Sequence, residues 1–248
     1  MHPDTATSSV PATDDPTLCA RLDGVSKLFG SFAALRQITV DLEPGRCYVV
    51  IGENGAGKST LLRILAGLLR PSLGTVKVFG DLEPQADAAR ARIGYMAHAA
   101  MLYDELTAEE NLRYFASLYR GRPCLTPAEA LGRVGLDPEL TRTLGQYSQG
   151  MRQRTSLARV LLPTPELLLL DEPFSNMDIE SARQMVELLA GFRHGSRTIV
   201  LTTHQRELAA PIADWVLTLH AGRVASMEPG SPATGSGRWG GEPGRPTQ

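Results

Sequence analysis

Two stretches of the chain combine residue types that handle phosphate. In "CYVVIGENGAGKSTLLRILAG" the spacing Gly52-x4-Gly57-Lys58-Ser59 falls between an apolar run and a helical one. Glycines let backbone N–H groups curl around an anion, and a lysine at the end of the turn adds a point charge. The helix that follows aims its positive end at the same anion. Ser59 is placed to offer a hydroxyl to Mg²⁺. The contact surface for the phosphates is the run Gly52, Glu53, Asn54, Gly55, Ala56, Gly57, Lys58, Ser59 and Thr60.

The second stretch, "ELLLLDEP", is a buried apolar strand ending in two carboxylates, Asp171 and Glu172. At the C-terminal edge of a parallel sheet such groups face the ligand crevice. Asp171 suits a metal held through water, and Glu172 suits polarisation of an attacking water. With the loop, these are the parts phosphoryl transfer requires: a positioned anion, a metal and a carboxylate near the nucleophile. Two histidines follow strand-like runs, His204 after "IVLTT" and His98 after "IGYMA".

The elements that must position these residues can be read from periodicity. Strands are predicted near 18–24, 38–42, 47–51, 75–78, 93–96, 167–171, 198–203 and 215–220. Helices are predicted over 58–68, 108–120, 127–133, 149–162, 179–193 and 205–210. Strands alternating with helices point to an α/β fold with a mainly parallel sheet, and the strand-rich opening to an antiparallel flap beside it. Between about 99 and 146 the pattern is helical only, which reads as an inserted lobe. Thr107 and Glu110 form a capping box at its first helix, and Leu112, Phe115, Ala116 and Tyr119 share one face, read as core packing. Residues 1–17 and 227–248 are rich in Pro, Gly, Ser and Thr and are expected to be disordered tails around a folded domain at 18–226.

Composition narrows the function classes. Over 248 residues the chain is 42% hydrophobic and 21% charged, with formal net charge −2. That is a globular composition without the basic field that nucleic-acid binding needs. Cys19, Cys47 and Cys124 are scattered, and the polar, acidic start carries no apolar export signal, so a reducing cytosolic setting is expected. No run approaches the roughly 18 apolar residues of a membrane span. There is no Cys-x-x-Cys-His, and the five histidines are dispersed.

In their order along residues 18–226 these motifs resemble those of an ABC-type ATPase, a phosphate-loop NTPase with a RecA-like core. The resemblance implies ATP and Mg²⁺ as cofactors, with Phe29 stacking on adenine where a Tyr is usual. It implies that "YSQGMRQR" is the signature, in which Ser148, Gln149 and Gly150 address the γ-phosphate held by a second copy. It further implies roles at the nucleotide for Asp178 in "FSNMD" and for His204, which orients water beside Glu172. His98 stands where a Gln is usual. Residues 93–120 and 147–178 are more narrowly similar to the ATPase subunit of the haem exporter of cytochrome c maturation, although Asn176-Met177 departs from that pattern. This implies a homodimer docked beneath transmembrane permease subunits at the cytoplasmic face of the cell membrane, bound through partners only. The alternatives are an exporter of lipid, drug or polysaccharide, or a soluble ABC protein outside transport.

Overall fold

A computed structural model describes residues 18–119, 121–192 and 197–231. The expected disorder of 1–17 and 232–248 falls outside these residues.

The chain opens with β1 (Ala20–Phe29), which turns at Gly30 and Ser31 into β2 (Phe32–Leu42). Gly30 adopts φ 59°, the left-handed conformation that a two-residue hairpin loop demands. β3 (Cys47–Ile51) passes through the glycine-rich loop into α1 (Lys58–Leu65), followed by β4 (Leu73–Val78), α2 (Asp87–Arg90) and β5 (Ile93–Met96). A helical lobe then holds α3 (Ala108–Ser117) and α4 (Pro127–Arg133), and α5 (Gln149–Leu161) returns the chain to the core. The remainder alternates: β6 (Leu167–Asp171), α6 (Ile179–Phe192), β7 (Thr198–Thr202), α7 (Arg206–Ala209), β8 (Trp215–His220) and β9 (Arg223–Pro229).

Among the described residues these strands form two sheets. The smaller is antiparallel in the order β2-β1-β4; the larger has the order β5-β6-β7-β3-β8-β9. Its pairings are parallel except between β8 and β9. β6 and β7 are buried along their whole length, as central parallel strands covered on both faces must be. One apolar cluster joins Leu168 and Leu170 to α5, α6 and the lobe; another joins the flap to α1 through Leu22, Ile38 and Leu62.

The capping box forms as expected: Glu110 N–H donates to Thr107 Oγ1 at 3.2 Å, and Thr107 N–H donates to Glu110 Oε2 at 2.8 Å. The same device, with Thr126 and Glu129, starts α4. Leu112 is fully buried, and Phe115, Ala116 and Tyr119 pack on the core beside it. Burying a leucine of this kind contributes about 1.5–3 kcal/mol.

Three expectations need correction. The flap strands are longer than the sequence suggests, because irregular register along β1 blurs the strict alternation. β9 was not foreseen, and it carries ordered backbone past residue 226 to Pro229, beyond the expected start of the C-terminal tail. The helix expected over 58–68 ends at Leu65, where Ala66 caps it and a turn follows.

Candidate active site

The glycine-rich loop is clamped on two sides by backbone. A Cβ on Gly52, at φ 151°, would lie 2.3 Å from the Leu219 carbonyl oxygen of β8. One on Gly57, at φ 103°, would lie 2.5 Å from the Ala34 carbonyl oxygen of the flap. Only glycine fits either position, for space as well as conformation. Lys58 is buried, and its Nζ donates to the carbonyls of Gly52 at 2.7 Å and Glu53 at 3.1 Å. The ammonium therefore draws the loop into a ring around itself. No side chain caps α1, which leaves the amides of its first turn facing the ring.

Asp171 ends β6 in the interior. Its Oδ1 accepts from the Ser59 hydroxyl at 2.9 Å and the Thr202 hydroxyl at 2.8 Å. Glu172 follows with φ 54°, left-handed backbone that a glutamate rarely adopts. Its Oε2 lies 3.2 Å from His204 Nε2, while its Oε1 is buried without a hydrogen-bond partner among the described residues. Burial raises the Glu172 carboxyl pKa above the ordinary carboxylate range, against the opposing pull of His204 and Lys58. A carboxylate shifted upward binds a proton more readily, as a general base for water must.

Mg²⁺ suits these donors. The Ser59 hydroxyl, the Asp171 carboxylate and the unpartnered Glu172 oxygen are all hard oxygens, the type that cation prefers. The described residues hold no cluster of three or more His, Cys, Asp or Glu that would build an all-protein metal cage. A metal shared with phosphate oxygens needs none.

A cavity of about 360 Å³ opens over the loop. Residues 54–60 form its floor, Phe29, Phe32 and Ala34 one wall, and His98, Glu172 and His204 the other. Gly52, Glu53 and Asp171 lie beneath that lining, held to it by the Lys58 and Ser59 bonds. The flap aromatics and the glycine-rich loop thus share one open space.

The family model for ABC transporters matches residues 35–175, more than half of the chain. The chain belongs to the ABC transporter ATP-binding family. This cassette is 36% identical over 196 residues to the ABC transporter ATP-binding protein NatA of Bacillus subtilis (strain 168), covering 77% of this chain and 80% of that protein. It is 37% identical over 207 residues to the daunorubicin resistance ATP-binding protein DrrA3 of Streptomyces coeruleorubidus, covering 82% of this chain but 66% of that protein. Among solved structures it resembles the dimeric ATP-binding cassette MJ0796 in a post-hydrolysis state with ADP and Pi. That match has TM-score 0.75 and 26% identity, over 85% of this chain and 98% of that one. A second, the ATP binding subunit of an ABC transporter, gives TM-score 0.71 and 28% identity over 86% and 90%.

Besides Gly52 and Glu53, four of the expected nucleotide contacts lie outside the lining of the ABC cassette's cavity. Ser148 caps α5, accepting from Met151 N–H at 3.3 Å. Gln149 is exposed on the first turn with helical backbone, so its Cβ is accommodated. Gly150 is buried, and a Cβ there would lie 2.9 Å from Ser181 Oγ. Asp178 accepts from Ser181 N–H at 2.9 Å and Ser181 Oγ at 2.6 Å. Those two bonds hold its carboxyl pKa below the ordinary range. Phe32, Ala34 and Thr202 escaped the sequence reading. Phe32 pairs with Phe29 across the hairpin, so a second aromatic close behind the first was the available signal. Nothing in the sequence marked Thr202.

Proposed function

We propose that this ABC cassette is the ATP-hydrolysing subunit of an exporter. Two copies close head to tail over two ATP molecules beneath separate permease subunits at the cytoplasmic face of the cell membrane. The observation that carries the catalytic part is Glu172, a buried carboxyl lining the cavity beside the phosphate loop, 3.2 Å from His204 Nε2 and with Oε1 unpaired among the described residues. In this reading the loop amides and Lys58 hold the triphosphate, and Phe29 and Phe32 flank the base. Glu172 takes the proton of the attacking water, and His204 leaves Glu172 to orient that water at the γ-phosphate. Mg²⁺, held by Ser59 and Asp171, would supply charge neutralisation on the phosphate oxygens. Ser148, Gln149, Gly150 and Asp178 are assigned to the partner's nucleotide, which agrees with their position outside their own cavity. No helix among the described residues is long and apolar enough to cross a membrane, so the permease is proposed as separate chains.

The experiment is Glu172→Gln. Removing a general base costs roughly 10²–10⁴-fold in turnover, and with Mg²⁺ and ATP the variant should sediment as a stable dimer. Normal hydrolysis by the variant refutes the assignment.

For cargo we propose haem for c-type cytochrome assembly, on the resemblance of residues 93–120 and 147–178. The relative named for daunorubicin resistance fits a second reading, a drug or other small-molecule cargo. Cells lacking the chain separate the two: loss of holocytochrome c supports haem, and drug sensitivity with normal cytochromes supports the other.

A further inference from the structure

Asp171 and Thr202 face each other as the last paired residues of β6 and β7. Thr202 is completely buried. Its hydroxyl gives its proton to Asp171 Oδ1 at 2.8 Å and accepts the Glu172 N–H at 3.0 Å. A hydroxyl has one proton and two lone pairs, so this one group meets both neighbours at once. A valine has the same shape and can do neither.

Glu172 needs such a partner. Had β6 continued as extended backbone, the side chain after Asp171 would have pointed to the opposite face. Instead Glu172 turns at φ 54°, its side chain lines the cavity, and its carboxylate meets His204. Left-handed backbone at a glutamate persists only where the surroundings hold it. The bond from its N–H to Thr202 supplies that hold, from the residue that ends β7 two positions before His204. The neighbouring hydroxyl, Thr203 Oγ1, is engaged elsewhere and accepts from Gln205 N–H at 3.0 Å.

We propose that Thr202 is a positioning residue for ATP hydrolysis: its hydroxyl fixes the left-handed turn that aims Glu172 and ties that turn to Asp171. It acts through Glu172 and touches no nucleotide. The inference rests on the assignment of Glu172 as the base in the proposed function.

The test uses the full chain, with its permease where turnover depends on it, and compares Thr202→Val, Thr202→Ser and wild type. Val should lower kcat roughly tenfold, the scale of one hydrogen bond to a charged group. KM and the dissociation constant for ATP should stay within about twofold, and Ser should restore kcat. In a Glu172→Gln background Val should cost nothing further, because residues acting as one unit are not additive. If Val does not yield folded protein, Thr202→Ala against Thr202→Ser carries the same comparison. An unaffected kcat in Val, equal losses in Val and Ser, or a loss confined to KM overturns the inference. A wild-type chain that turns over no ATP removes the proposed function and this inference with it. Wild-type turnover beside an unaffected Val removes this inference alone.

Discussion

Replacing Lys58 with alanine should weaken ATP binding by an amount that the loop geometry sets. A charged hydrogen bond to phosphate contributes about 1.5–3 kcal/mol, which corresponds to roughly 10- to 150-fold in Kd. The ammonium is already engaged, at 2.7 Å to the Gly52 carbonyl and 3.1 Å to that of Glu53. Phosphate must draw it from those acceptors, so the net loss falls at the low end, about tenfold. AMP has neither the β- nor the γ-phosphate, and in the proposed pose its base contacts the flap, so its affinity should change less than about twofold. Isothermal titration of ATP, ADP and AMP, with hydrolysis blocked by Glu172→Gln in both chains, reads these constants directly. Unchanged ATP affinity would falsify the loop assignment. Equal weakening of ATP and AMP would mean the mutation disturbs the fold rather than a phosphate contact.

Phe29→Ala gives the complementary result: loss of a stacking face worth about 1–3 kcal/mol should weaken ATP and AMP alike, read by the same titration. Gly57→Ala places a Cβ 2.5 Å from the Ala34 carbonyl oxygen in left-handed backbone. Strain of about 1–3 kcal/mol should lower Tm by several degrees, and an unchanged melting curve would contradict the clamp. Glu166 and Arg92 pair at 2.6 Å where β5 and β6 begin, and the Arg92 guanidinium lowers the Glu166 carboxyl pKa. A depressed carboxyl stabilises the fold above the ordinary carboxylate range, and that contribution is lost as pH falls through the lowered folded value. Glu166→Gln should therefore destabilise by no more than about 1 kcal/mol near pH 7, this pair being partly exposed. Its denaturation curve should merge with wild type in acid, and a difference that persists there would refute the linkage.

The residues of the candidate site were legible because they lie in short contiguous patterns. The Gly52–Ser59 loop, the Asp171-Glu172 strand end and the Thr107–Glu110 box each declare themselves within eight residues or fewer. What was not legible depends on partners distant in sequence. Thr202 matters because β6 lies beside β7, and its hydroxyl reads in the sequence as one more β-branched strand residue. β9 alternates weakly, being an edge strand paired on one side to β8, so neither its pattern nor its polarity distinguished it from a tail. Phe32 lies between the two flap strands that periodicity marks, where the turn at Gly30 and Ser31 brings it opposite Phe29. His98 does line the cavity.

At Gly150 no side chain separates the tip of α5 from the opening turn of α6, and Met177 Cε closes in from the same side. The serine-bearing tip and the aspartate-bearing corner are in effect one plate, cast from segments almost thirty residues apart. A twin molecule arriving over its ATP would press on that plate as a whole. Tilting either end would tip the other, so damage to one motif should be felt at both.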